Sequence, residues 1–166
     1  MFWRKKKPTE PELTKAAAGS KLLAEGFAAK AEPLLSQAVK EQPDDHKVWG
    51  NLGVARLYLQ QFDEALSALR KAVKLAPGQP THRLNLAVAL HQSGRTAEAI
   101  SELRSLCQTH PEVADVHYNL AVALASLGEI DEAIEELRVE LALDRRHERA
   151  ITLLANLLQV QMGQEQ

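Results

Sequence analysis

The chain resembles itself after every 34 residues: NLGVARLYL from Asn51, NLAVALHQS from Asn85 and NLAVALASL from Asn119 recur at that spacing. A second set keeps the same period, with FDEALSALRKAV from Phe62, TAEAISELRSLC from Thr96 and IDEAIEELRVEL from Ile130. One period earlier, Gly26, Ala31, Leu35, Ala38 and Pro43 match Gln60, Ala65, Leu69, Ala72 and Pro77. A unit of this length cannot bury its apolar face alone, so successive units must stack. Four contiguous repeats are expected, at 12–45, 46–79, 80–113 and 114–147.

Within a repeat, apolar residues return at steps of three and four, as in Leu52, Ala55 and Leu59 and then Phe62, Ala65, Leu66 and Leu69. Each repeat is therefore expected to be two amphipathic helices. Gly26, Gly94 and Gly128 fall between the halves, where a tight turn takes positive φ, and Pro43, Pro77 and Pro111 close the second helix. Strand signals are absent, since aromatic residues make up only 4% of the chain and β-branched runs are missing. Beyond the repeats, Ile151, Leu154, Leu157 and Leu158 are spaced as a further helix before a glutamine-rich end, so 148–166 reads as a capping helix and polar tail. The remaining segment, 1–11, is a basic, proline-containing leader.

Composition removes several function classes. A net charge of -2 offers no general attraction to nucleic acid or anionic lipid, and none is expected as a partner. The single cysteine, Cys107, cannot close an intrachain disulfide, and no cysteine–histidine spacing matches a structural zinc site. No stretch approaches the roughly 18 apolar residues of a membrane span, and the start Phe2-Trp3-Arg4-Lys5-Lys6-Lys7 runs into Pro8 rather than an apolar core. A cytoplasmic monomer is expected. At about 1 kcal/mol per basic residue, residues 2–7 would touch an anionic membrane surface only weakly and in a salt-sensitive way.

Trp49, Leu52, Gly53, Phe62, Ala65, Ala72 and Pro77 resemble the signature of the tetratricopeptide repeat, and the resemblance spans about residues 12 to 147. It implies an all-α fold: a right-handed superhelical solenoid of four helix hairpins, whose first helices line a concave groove, plus the C-terminal capping helix. Small residues at Gly19, Gly53, Ala87 and Ala121, with Ala31, Ala65, Ala99 and Ala133, stand where the family brings its paired helices closest. Departures from the pattern are Arg56 for an aromatic, Lys15, Arg83 and His117 at the position of Trp49, and Arg145 for the closing proline. The stems of Arg56 and Arg83 are expected to cover apolar neighbours while their heads stay in water.

The resemblance places Asn51, Asn85 and Asn119 on the groove wall as a ladder of amides, with Val54, Val88 and Val122 as a parallel apolar rail. An asparagine amide both donates and accepts, so such a ladder would grip the backbone of an extended peptide. His91 is the one histidine expected on the groove, and Lys47, Leu84, Asp115 and Tyr118 give it a mixed character. The family's clamp for a terminal carboxylate is not matched: its positions carry Ala16, Ser20, Asn51, Thr81 and Asn85, without the cations that would contribute roughly 1.5–3 kcal/mol each. The expected function is a protein–protein interaction adaptor holding an extended segment of another protein. The alternative is a structural or self-assembling scaffold that uses its ends or convex face. No enzyme, cofactor or metal is expected, because the histidines form no ligand pair, Cys107 reads as a small core residue, and Asp63-Glu64 and Asp131-Glu132 favour the positive ends of helix dipoles.

Overall fold

The computed structural model describes residues 14–164. The whole basic leader, residues 1–11, lies outside them. Nine helices follow one another among the described residues: α1 (Lys15–Ala24), α2 (Ala28–Glu41), α3 (His46–Tyr58), α4 (Phe62–Leu75), α5 (Pro80–Gln92), α6 (Thr96–Thr109), α7 (Val116–Ser126), α8 (Ile130–Leu143) and α9 (Glu148–Gln164). The architecture is an all-α solenoid. Each odd helix from α1 to α7 packs with the even helix after it, each even helix packs with the next odd one, and the odd helices touch in series from α1 to α7.

The turns inside the hairpins share one backbone device. Gly26, Gly94 and Gly128 take φ of 84°, 85° and 83°, and Gln60, at the same register position, takes φ of 58°. A left-handed residue reverses the chain in few residues, and glycine adopts it without a Cβ penalty. Caps differ between the first helices. The Asp45 carboxylate accepts from the Lys47 and Val48 amides at the start of α3, whereas α5 begins with Pro80, whose missing N–H costs nothing there. α8 ends at Leu143 although Arg145 replaces the closing proline, so the proline reinforces the stop without being required for it.

The core runs along the array as small residues facing leucines. Ala31, Ala65, Ala99 and Ala133 are fully buried, as are Leu35, Leu69 and Leu137, with Leu103 nearly so. A Cβ added to Gly53 would lie 2.5 Å from Leu69 Cγ, and one on Gly19 would lie 2.8 Å from Leu35 Cγ. Those two hairpins close more tightly than the later pair, where Ala87 and Ala121 fit.

Arg56 and Arg83 are partly exposed, as expected, and their heads are also held by protein partners: Arg56 donates to Glu32 and to Ser36 Oγ, and Arg83 to Glu102 and to Ser105 Oγ. The guanidinium's rigid fork lets one side chain satisfy a carboxylate and a hydroxyl together in a half-buried setting.

The fourth hairpin departs most. Six residues join α6 to α7, and Asp115 takes φ of 66°, so its carboxylate does not cap the helix it precedes. Glu140, buried on α8, does so instead, accepting from the Asp115 amide at 3.3 Å and the Tyr118 amide at 3.2 Å. A carboxylate at a helix N-terminus satisfies orphan donors and meets the positive end of the dipole, which offsets its burial.

Candidate groove and its surroundings

An asparagine and the valine three residues later share one face of a helix, and α3, α5 and α7 each carry that pair. Val54, Asn85, Val88 and Asn119 line a cleft of about 400 Å³ across these three helices. Val88, His91, Asn119 and Val122 line a neighbouring cleft of about 190 Å³. The two share Val88, Gln92, Asn119 and Arg149. Tyr58, 71% exposed, links the first of them to a cleft of about 660 Å³ at the α1–α2 turn, and Tyr118 and Arg149 link the second to one of about 410 Å³ along α9. The result is a chain of clefts from the first hairpin to the last helix.

The three amides are not equivalent. Asn51 lines none of these four clefts, and its Nδ2 donates to Ser20 Oγ at 2.8 Å. Asn119 lines two of the clefts and its Nδ2 donates to the Asp115 carbonyl of its own helix start at 2.7 Å, while its side-chain oxygen has no partner among the described residues. Asn85 is half-buried and has no side-chain partner among the described residues, so both its donor and its acceptor are available. His91 Nδ1 lies 3.2 Å from Thr96 Oγ1, and burial holds its pKa below the ordinary imidazole value, so it is neutral at neutral pH. Of the mixed groove candidates, Leu84, Asp115 and Tyr118 line the clefts; Lys47 lines none of the four.

Arg149 was not legible as a groove residue, since it lies beyond the last repeat. It donates to Asp115 Oδ1 at 3.2 Å while its guanidinium stands 4.8 Å from the Tyr118 ring centroid. A fixed cation of this kind keeps its remaining donors for a ligand. The same Asp115 oxygen lies 2.6 Å from His147 Nε2. Asp115, Glu140 and His147 are close enough to suggest a metal site, but both Glu140 oxygens accept backbone amides and Asp115 Oδ1 meets His147 and Arg149. His147 Nδ1 accepts from the Ala150 amide at 3.1 Å, so Nε2 carries the proton and has no lone pair for a cation. This cluster is a structural knot that joins α7, α8 and α9.

Cys107 is half-buried against the core of the last hairpins, and burial, with Glu136 and Glu140 adding to it, pushes its thiol up to about 12. A protonated thiol is a poor nucleophile. No helix among the described residues is long and apolar enough to cross a membrane.

A family model described as the cytochrome c-type biogenesis protein H TPR domain matches residues 34–150. Among solved structures the chain is similar to YrrB, described as a TPR protein with an unusual peptide-binding site, at 23% identity and a TM-score of 0.73 over 84% of this chain and 72% of that one. It is also similar to MamA: to the MSR-1 form at 27% identity and a TM-score of 0.66, covering 80% and 76%, and to an AMB-1 form at 24% and 0.75, covering 91% and 89%. No curated protein matches the chain. The shared fold is an interaction scaffold and typically carries no catalysis. With helix hairpins in series and a family match over more than two-thirds of its length, the chain belongs to the cytochrome c-type biogenesis protein H TPR domain family, a family of tetratricopeptide repeats.

Proposed function

We propose that this chain holds an extended segment of a partner polypeptide along the chain of clefts on α3, α5 and α7. The observation that carries this reading is the continuity of the clefts: each shares lining residues with the next, from Tyr58 through Val88 and Asn119 to Arg149. Asn85 pairs with a client's backbone N–H and C=O, and the Asn119 oxygen accepts one further N–H. Val54, Val88 and Val122 cover the client's apolar side chains. Backbone contacts at a net of about 0.5–1.5 kcal/mol each, offset by ordering the client, give a dissociation constant on the order of micromolar. YrrB, which has a peptide-binding site, supports the reading by analogy of fold alone. The family's name makes a polypeptide undergoing cytochrome c-type assembly a natural source of the client. One thiol closes no intrachain disulfide in any compartment, so Cys107 does not separate the cytoplasm from an extracytoplasmic site.

The test is a displayed library of unstructured peptides panned against the full chain, followed by fluorescence polarisation of the selected sequences. Binding lost in a Val88→Asp variant of unchanged helicity is the expected result. Selected peptides that bind that variant equally well would remove the groove from the mechanism. Self-assembly is the second reading, favoured by the exposure of Val139, Leu143, Ile151 and Met162 at the last helices. Sedimentation showing a monomer at every concentration would exclude it.

A further inference from the structure

The same register position is occupied by Arg83 in the third hairpin and His117 in the fourth, and each meets a glutamate on the helix that follows. Arg83 donates through Nε and Nη2 to Glu102 and through Nη2 to Ser105. His117 has only two ring nitrogens. Its Nδ1 lies 2.6 Å from Glu136 Oε2, and its Nε2 is buried with no hydrogen-bond partner among the described residues. His117 as a whole is only 7% exposed, so bulk solvent does not reach that atom. An orphaned polar atom this deep is destabilising, and Arg83 shows that the position does not require it.

A carboxylate that accepts from Nδ1–H fixes the tautomer whose Nε2 carries a lone pair, and this is how an imidazole is oriented toward a metal. The third member of the group is Cys107 on α6. One donor atom from each of Cys107, His117 and Glu136 lies within 4.8 Å of the others, which brings sulfur, nitrogen and oxygen from three successive helices together. None of the three lines the four clefts, so the group is separate from the groove and independent of its client.

We propose that Cys107 Sγ and His117 Nε2 bind a zinc-class divalent transition metal, with Glu136 holding the imidazole in place. Thiolate and imidazole together select against magnesium and calcium, which take oxygen donors, and suit tetrahedral zinc with the remaining positions left for water or outside ligands. Binding releases the Cys107 proton to solvent as the sulfur–metal bond forms. Because the bound sulfur is a thiolate, affinity rises with pH. The bound ion ties α6 to α7 and α8, next to the long α6–α7 connection.

The full chain, reduced and stripped with chelator, is titrated with Co²⁺ at mildly alkaline pH and read by absorbance. A near-ultraviolet thiolate-to-cobalt charge-transfer band that saturates at one equivalent, is displaced by Zn²⁺ and is absent in Cys107→Ser is the expected result. Glu136→Gln, which keeps the side-chain shape but loses the charge that holds the imidazole, is expected to weaken binding about 10–100-fold. No charge-transfer band in the folded wild-type chain overturns the proposal. So does zinc retention in equilibrium dialysis that Cys107→Ser and His117→Gln leave unchanged while circular dichroism shows all three chains equally helical.

Discussion

Asn85 and Asn51 occupy the same place in successive repeats, yet only Asn85 has both amide groups available to a client. Truncating Asn85 to alanine should cost about 0.5–1.5 kcal/mol of peptide binding, roughly two- to tenfold in the dissociation constant. Asn51→Ala should leave affinity nearly unchanged, and fluorescence polarisation with a selected peptide compares the two directly. His82 provides a pH prediction. It is buried, its Nε2 lies 2.8 Å from His46 Nδ1, and burial followed by His46 holds its pKa below 6.5. Between that lowered value and 6.5 the unfolded chain binds the proton and the folded chain does not, so stability falls as pH drops through this window and levels below it. His91, lowered by burial, acts in the same sense. Urea midpoints measured across this window should therefore decline for the wild type, and less steeply for His82→Gln.

At the scale of the element, the turns and the helix contacts make separate predictions. Gln60 holds a left-handed backbone that its counterparts hold with glycine. Gln60→Gly should stabilise the chain by about 0.5–1 kcal/mol, the relief of strain exceeding the added freedom of the unfolded state. Gly53 faces Leu69 with no room for a Cβ. Gly53→Val should cost about 1–3 kcal/mol by overpacking, and both variants are read from chemical-denaturation midpoints. Such elements were legible in the sequence because what builds them is local. Leu52, Ala55 and Leu59 are spaced to share one helix face, and Gly26, Gly94 and Gly128 punctuate the period. The start of α7 was less legible, since Glu140, rather than a residue beside the helix, satisfies its amides.

Among the described residues the molecule is a line of helices in which each packs mainly with near neighbours in the chain. Stability is then a sum of repeat terms and interfaces, and the terminal helices α1 and α9, which pack with fewer helices than the central ones, open first. Amide hydrogen exchange should be slowest in α4 to α7 and faster in α1 and α9, as mass spectrometry of proteolytic fragments would show. By itself, the sequence determined the period, the hairpins and the leucine and alanine positions of the core, because short-range spacing repeated along the chain dictates all three. Tertiary structure alone decided which residues of that pattern are free to act. Asn51 is occupied by Ser20, Arg149 of α9 reaches Asp115 and the Tyr118 ring, and Cys107, His117 and Glu136 converge from separate helices. The physical reason is that a hydrogen bond or a shared ligand depends on side-chain approach between helices to within an ångström. Apolar periodicity sets which face a residue occupies, but not that distance.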